Sequence, residues 1–274
     1  MNSIKDLFSH KSFTLIFVLF TILLVWRIIL LFSSAPDLDI QIQVWAASYQ
    51  IVAWAGAIIG LALSKRWGGY KSIVGRAAIA FSLGLLAQSF GQSVFSYYFY
   101  TGNELPYPSL ADVGFFGSIP FYIYGISLLA KVSGVRFSLT NVTGKLSAIV
   151  IPAIILGVSY LVFLRGYQFD VTHPVRIMLD FGYPLGQAIY ISIAILAYIL
   201  SRNFLGGMMR GTILFFIFAL AAQYVSDYTF LFQSMRGSFV GGGIVDVMYF
   251  VSYVIMSISL IELGLVFHRI RNSA

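Results

Sequence analysis

The sequence contains no cysteine and only three histidines. Without a thiol, the chain cannot form a disulfide, an iron-sulfur cluster or a thiolate metal site, and it has no cysteine nucleophile. His10, His173 and His268 all lie near the ends of the long apolar segments or outside them, so no histidine is placed to ligate a haem inside a membrane. We predict no cofactor, no metal site and no catalytic residue.

Charged residues are also scarce, at 10% of the 274 residues, and no lysine lies well inside an apolar segment. A retinal protein needs such a lysine for its Schiff base. The chain also lacks the Gly-x-Ser-x-Gly elbow of serine hydrolases, and its glycine run at residues 241–243 is not followed by the Lys-Ser/Thr pair of a phosphate loop. The sequence therefore predicts a protein that is not an enzyme.

Apolar residues make up 59% of the chain, and the mean hydropathy is +0.89. A soluble domain is usually about one quarter charged, so this composition is typical of a polytopic membrane protein. A bilayer core of roughly 30 Å needs about 20 helical residues. The eight runs of that length cover approximately residues 13–33, 44–64, 76–100, 110–131, 146–164, 177–200, 211–232 and 244–267. We predict an all-α fold, with residues 1–274 forming a single transmembrane domain.

The positive charges of the loops predict the orientation of the chain. Four of them, Lys65, Arg66, Lys71 and Arg76, lie between runs two and three, and further Lys and Arg residues follow runs four, six and eight. The alternate loops are mainly acidic. By the positive-inside rule both termini are cytoplasmic, which predicts a multi-pass protein of a prokaryotic cytoplasmic membrane. The net charge of +7 thus reflects topology, and we expect no nucleic-acid partner.

The second half of the sequence restates the first at a nearly constant offset of about half the chain length. Gln88 matches Gln223 and Gln92 matches Asp227 at one and the same offset, and Asp112 matches Asp246 at an offset shorter by one. The alternative is chance similarity between two apolar sequences of biased composition. Because each copy would contain four helices, an even number, both copies face the same way. We predict two parallel four-helix repeats, over about 13–131 and 146–267.

Several polar residues lie inside the predicted spans, toward the outer side, where an ionisable group is costly unless it is paired or hydrated. We interpret them as an outward-facing vestibule for a cation or a small polar ligand. The alternative is that Asp112 and Asp246 only serve the N-termini of their helices. Asp227 lies near the C-terminal end of its run, where the helix dipole disfavours a carboxylate. The candidate ligand-binding residues are Asp112, Asp180, Asp227, Asp246, Gln88, Gln92, Gln223 and Arg27.

Arg27 is the single cation well inside a run. It either anchors the first helix by reaching toward the interface or forms a salt bridge with a vestibule carboxylate. The first run could also be a signal peptide, but its length and the interrupting Arg27 favour a membrane span. Glu262, near the inner end of the last run, is expected to pair locally with the basic residues that follow it.

The stretch from Gly102 to Asp112, which reads GNELPYPSLAD and precedes an aromatic-rich helix, supports a family resemblance. It resembles the multi-pass N-terminal membrane region of bacterial and archaeal histidine kinases, diguanylate cyclases and phosphodiesterases. In those proteins a Pro-x-Pro-Ser-x-Ala-Asp stretch opens a helix after an extracytoplasmic turn. The resemblance implies a sensory role, although those relatives continue into an output domain and this sequence stops at Ala274.

Three functions follow from these observations. The first is a stand-alone sensor or signalling-type membrane subunit that relays ligand binding to a cytoplasmic partner. The second is a small transporter or channel with its site between the two repeats, and the third is a non-catalytic membrane scaffold. The expected partners are the lipid bilayer, a small ligand or cation, a cytoplasmic signalling protein and a second copy of the chain.

Overall fold

The computed structural model describes residues 10–101, 106–132, 142–164, 171–200 and 210–273, and all its regular elements are helical. These ranges contain eight helices that are long and apolar enough to cross a membrane, as the sequence predicts, which is compatible with a multi-pass membrane protein. The helices are α1 (Lys11–Leu31), α2 (Leu38–Trp67), α3 (Ile73–Tyr100), α4 (Leu110–Val132), α5 (Val142–Ser159), α6 (Pro174–Leu200), α7 (Arg210–Met235) and α8 (Ile244–Ser273).

Helix α2 begins earlier than the apolar run that marks it in the sequence. Residues 38–43 alternate apolar and polar side chains, so hydropathy alone does not assign them to a span. The backbone nevertheless turns into a helix there. Asp39 lies in the first turn, where the helix dipole favours a carboxylate, and Asp37 accepts a hydrogen bond from Gln41 Nε2 at 3.0 Å.

The connection from α2 to α3 is a tight turn built by glycine. Gly68 has φ of 85° and ends α2, and Ser72 caps α3 by accepting a hydrogen bond from the backbone N–H of Gly75 at 2.8 Å. A Cβ atom at Gly75 would lie 2.2 Å from the carbonyl oxygen of Gly69. The turn therefore closes only with glycine at that position.

Six of the helices form a ring. Helix α2 contacts α3, α3 contacts α4, α4 contacts α6, α6 contacts α7, α7 contacts α8, and α8 closes the ring on α2. Helices α1 and α5 lie outside it and are the two least buried of the eight. Helix α1 packs against α2 and α8, and α5 packs against α6. If α2 is paired with α6, α3 with α7 and α4 with α8, each contact in the ring has a counterpart: α2–α3 matches α6–α7, α3–α4 matches α7–α8, and α4–α6 matches α8–α2. A four-helix repeat would require this arrangement. The repeat itself stays a prediction.

Close packing in the ring depends on small residues. A Cβ atom at Gly114 of α4 would lie 2.4 Å from the carbonyl oxygen of Ala87 and 2.5 Å from the nitrogen of Gly91, both in α3. The backbones of α3 and α4 thus touch, as small residues permit in membrane helices. Large aromatic side chains fill the ring interior, including Phe81 and Phe216, whose stacked rings lie 4.1 Å apart.

The two ends of the helix bundle differ in charge. We call the end that carries residues 32–37, 106–109 and 236–243 the acidic end, because Asp112, Asp180 and Asp246 lie there. The opposite end, with residues 65–72, is the basic end, and there Arg269 Nη2 lies 2.9 Å from Glu262 Oε1. This is the local pairing expected for Glu262. Five of the charged loop residues on which the predicted orientation depends lie outside the described residues, namely Glu104, Arg136, Arg165, Asp170 and Arg202.

Candidate ligand cleft at the acidic end

A cleft opens at the acidic end of the bundle, and the empty space in it, including the solvent at its mouth, is about 670 Å³. Five helices line it, namely α3, α4, α6, α7 and α8, together with residues of the loops before α4 and α8. Asp112, Asp227 and Asp246 are among its lining residues, and so is Gln92. The structure therefore brings four of the candidate ligand-binding residues to one cavity.

Asp112 has two roles. Its Oδ2 accepts hydrogen bonds from the backbone N–H of Ser109 at 2.7 Å and from the Ser109 hydroxyl at 3.2 Å, so the carboxylate organises the start of α4. Its Oδ1 accepts a hydrogen bond from the hydroxyl of Tyr183 in α6 at 2.8 Å. Asp112 thus serves its helix N-terminus, joins α4 to α6 and lines the cleft.

Asp246 repeats this arrangement at the start of α8. Its Oδ2 accepts from the backbone N–H of Gly242 at 2.6 Å, and its Oδ1 accepts from the hydroxyl of Tyr49 in α2 at 2.8 Å. Gly242 has φ of 72°, and a Cβ atom there would lie 2.2 Å from Ile42 Cγ2. Only glycine fits at that position, so the loop closes against α2 and delivers its N–H to Asp246.

Asp227 lies near the end of α7 and accepts hydrogen bonds from three helices. Gln187 Nε2 of α6 donates to Oδ2 at 2.6 Å, Tyr249 of α8 donates to Oδ1 at 2.7 Å, and Gln223 Nε2 of α7 itself donates to Oδ1 at 3.1 Å. None of these bonds is a backbone cap. Asp227 therefore differs from Asp112 and Asp246, which each accept a backbone N–H at a helix start.

Gln88 and Gln223 lie deeper, near the middle of α3 and α7. Gln88 Nε2 donates to the Ser118 hydroxyl at 2.8 Å, and Gln223 Oε1 accepts from the Ser252 hydroxyl at 2.8 Å. Tyr253 also donates to Gln88 Oε1, at 3.3 Å. Both amides are almost fully buried. They form a polar layer beneath the cleft and do not line it.

Asp180 lies beside the cleft and is not among its lining residues. Its Oδ1 accepts from the hydroxyl of Tyr107 at 2.6 Å, and its Oδ2 is 3.8 Å from Arg176 Nε. Tyr107 itself lines the cleft. Burial, together with the hydrogen bond to Asp180, raises the pKa of the Tyr107 phenol well above its usual value. The phenol is therefore neutral and acts as a donor.

Arg27 forms no salt bridge with a carboxylate of the described residues. Its guanidinium carbon lies 5.4 Å from the centre of the Trp45 ring, and within the described residues its Nε and Nη1 atoms have no hydrogen-bond partner. The predicted salt bridge is therefore not formed there, because the guanidinium lies over the Trp45 ring; Arg27 interacts with Asp246 only electrostatically, without contact. Arg27 is not one of the cleft residues.

Aromatic side chains form most of the remaining cleft wall, and the sequence did not single them out as a set. Phe95, Phe115, Phe230 and Phe239 line the cleft, with the Phe239 ring edge-on to those of Phe95 and Phe230 at 6.0 and 5.0 Å. Their signal is hidden because phenylalanine is common throughout this chain, with 25 copies. Tyr49 was also missed, although its separation from Tyr183 in the sequence equals that of Asp112 from Asp246.

The cleft carboxylates do not converge on a point. Within the described ranges, no group of three His, Asp or Glu side chains is arranged to hold a metal ion. The carboxylates of the cleft therefore provide hydrogen-bond acceptors and negative charge inside an aromatic cavity. Comparison of the chain with protein-family models, with curated proteins and with solved structures finds no match.

Proposed function

We propose that the protein is a non-enzymatic membrane sensor subunit that binds a small ligand in the acidic-end cleft and relays binding to a cytoplasmic partner. One observation carries the proposal: each cleft carboxylate is hydrogen-bonded to a helix other than its own. Asp112 joins α4 to α6, Asp246 joins α8 to α2, and Asp227 joins α7 to α6 and α8. A ligand that competes for these carboxylates would act on five helices at once.

Helix α8 is the route to the opposite end. It begins at the cleft with Asp246 and Tyr249, and it is the most buried of the eight helices. At the basic end Glu262 pairs with Arg269, and His268 Nε2 lies 2.6 Å from Arg66 Nη1. A shift of α8 would alter the basic surface offered to a partner. Such coupling requires the ligand to bind the two positions of α8 with different affinity.

The orientation and the resemblance support the same function. With basic residues toward the cytoplasm, the cleft opens to the outside and the basic end faces a cytoplasmic partner, as in a cytoplasmic membrane of a prokaryote. The resemblance to membrane regions of histidine kinases and cyclases implies an outside position for the loop before α4 as well. Two parallel halves would account for the matching pairs Asp112–Tyr183 and Asp246–Tyr49, each of which links one half to the other.

Co-purification tests the relay. The protein, tagged at its C-terminus, is extracted from its native membrane in mild detergent, and stoichiometric partners are identified. We expect a kinase, a cyclase or another regulator, released when Asp112, Asp227 and Asp246 are all replaced by asparagine. Isolation of the chain alone or as a homo-oligomer would contradict the sensor function. An unchanged cellular response in the triple variant would contradict the role of the cleft.

A transporter is the second candidate, because Gln88 and Gln223 provide a buried polar layer near the middle of the bundle. Transporters bind their substrates at that depth, between repeated halves. Uptake by proteoliposomes separates the two functions. Flux that is lost in a Gln88→Leu, Gln223→Leu double variant would favour transport. No flux for a broad panel of ions and small solutes would exclude it and leave the sensor.

A further inference from the structure

We infer that the cleft binds an organic cation, specifically a primary or secondary ammonium group attached to an apolar body. This inference names the ligand class of the site in the proposed function and rests on it. Three observations lead to this class: the carboxyl groups of the cleft, its aromatic walls, and one unpaired oxygen atom on Gln187, the residue that donates to Asp227.

The cleft places three carboxyl groups in one cavity without a cation in the lining that the structure describes. Asp112, Asp227 and Asp246 line it, and among the described residues no lysine, arginine or histidine does. Two arginines act from outside this lining: Arg27 lies over Trp45 and interacts electrostatically with Asp246, and Arg176 lies beside Asp180. Removing carboxylates from water is costly unless an opposite charge is near. A cationic ligand supplies that charge, and an anionic one would add to the repulsion.

The walls select an organic cation over a hydrated metal ion. Seven aromatic residues line the cavity, namely Phe95, Phe115, Phe230, Phe239, Tyr107, Tyr183 and Tyr249. An ammonium group is attracted to the face of such rings, and an apolar body gains from contact with them.

The third property is the carbonyl oxygen of Gln187. Gln187 is 1% exposed and is not among the cleft-lining residues, but its Nε2 donates to Asp227, which lines the cleft. Its Oε1 has no hydrogen-bond partner in the described part of the chain. A buried acceptor without a donor is unfavourable. An ammonium group that binds at Asp227 and reaches this oxygen would donate an N–H to it. A quaternary ammonium has no N–H to donate.

Direct binding to the full chain in phosphatidylcholine nanodiscs tests the inference. The probes are 2-phenylethylammonium, neutral 2-phenylethanol, anionic phenylacetate and the N,N,N-trimethyl form of the ammonium, each titrated by calorimetry. We expect the primary ammonium to bind about tenfold or more tightly than the alcohol, as one ion pair in a desolvated cavity provides. The trimethyl form should bind more weakly than the primary ammonium, and phenylacetate should not bind.

Variants assign the binding to the cleft. Asp227→Asn should weaken 2-phenylethylammonium binding about tenfold, whereas Asp39→Asn, an equal charge change at the acidic end outside the cleft, should leave it unchanged. Phe230→Leu should weaken it about threefold by loss of one ring. If Asp227→Asn fails to give a monodisperse protein, Phe230→Leu and Asp112→Asn carry the comparison.

The outcomes separate the ligand class from the function. Any of three outcomes would overturn the inference. The alcohol binds as tightly as the ammonium or more tightly, the ammonium shows no saturable binding, or Asp227→Asn and Asp39→Asn have equal effects. If the alcohol binds and the cleft variants abolish that binding, the cleft is still a ligand site and only the class is wrong. If the ammonium binds as expected but leaves the co-purifying partner unchanged, the class stands and the sensor function fails.

Discussion

The hydroxyl of Tyr49 donates a hydrogen bond of 2.8 Å to Asp246, a residue 197 positions later in the chain. Tyr49 occupies the turn between the two helical stretches of α2, and Asp246 lies in the first turn of α8. The bond therefore fastens the start of α8 to α2 and closes the ring. Its counterpart between Tyr183 and Asp112 fastens α4 to α6 at 2.8 Å.

Tyr49→Phe should lower the stability of the bundle. The substitution keeps the ring and removes the donor, which leaves one buried oxygen of Asp246 without its partner and costs about 1–3 kcal/mol. Thermal unfolding in detergent, followed by circular dichroism, measures the effect. Tyr97→Phe is the control, because Tyr97 is 65% exposed. Equal melting temperatures of the two variants would show that the Tyr49 bond does not stabilise the ring.

Gly114→Ala should separate α3 from α4. The added Cβ would lie within 2.5 Å of two backbone atoms of α3, and overpacking of this kind costs about 1–3 kcal/mol. Gly117→Ala is a matched control on the same helix, because nothing lies within 4 Å of its added Cβ. It should be neutral or stabilising by up to about 1 kcal/mol, since alanine favours helix. A destabilised Gly117→Ala with an unaffected Gly114→Ala would reverse this account of the interface.

Single cysteines should report the orientation directly, because the native chain has none. We expect Ser238→Cys, in the loop before α8, to react with a membrane-impermeant maleimide in intact cells. Lys71→Cys, at the basic end, should react only after permeabilisation. Both side chains are exposed, so accessibility within the protein is not limiting. Reaction of Lys71→Cys in intact cells would place the basic end outside and overturn the predicted topology.

Glu262→Gln should weaken the coupling between ligand binding at the acidic end and partner binding at the basic end. Glu262 is almost fully buried and is bonded to Arg269 through Oε1, far from the cleft. The variant should bind 2-phenylethylammonium with an affinity within about twofold of the native protein, because the cleft is intact, and should retain less of the cytoplasmic partner. Lys131→Gln, an exposed charge change at the end of α4, is the control. Loss of ligand binding with full retention of the partner would contradict relay through α8.

The sequence by itself determined the number of spans, the helical class and the separation of charge between the two ends. These are local properties. A run of about 20 apolar residues specifies a span wherever it lies in the sequence, and the order of the spans alone decides at which end of the bundle a charged loop lies. The sequence also pointed to Asp112, Asp227 and Asp246, because an ionisable residue stands out inside an apolar run. Their common cavity was a hypothesis, and in the structure five helices line that cavity.

Only the tertiary structure decided which helices are neighbours and which side chains meet. In a bilayer the lipid-facing and core-facing sides of a helix are both apolar, so the pattern of α3 or α7 does not reveal the face that packs. The bonds of Tyr49 to Asp246 and of Gln187 to Asp227, the aromatic wall around Phe239, and the position of Arg27 on Trp45 all depend on that choice of faces. Close packing of small residues, such as Gly114 against α3, contributes to that choice. Such packing joins residues that are distant in the chain, so no single stretch of sequence reveals it.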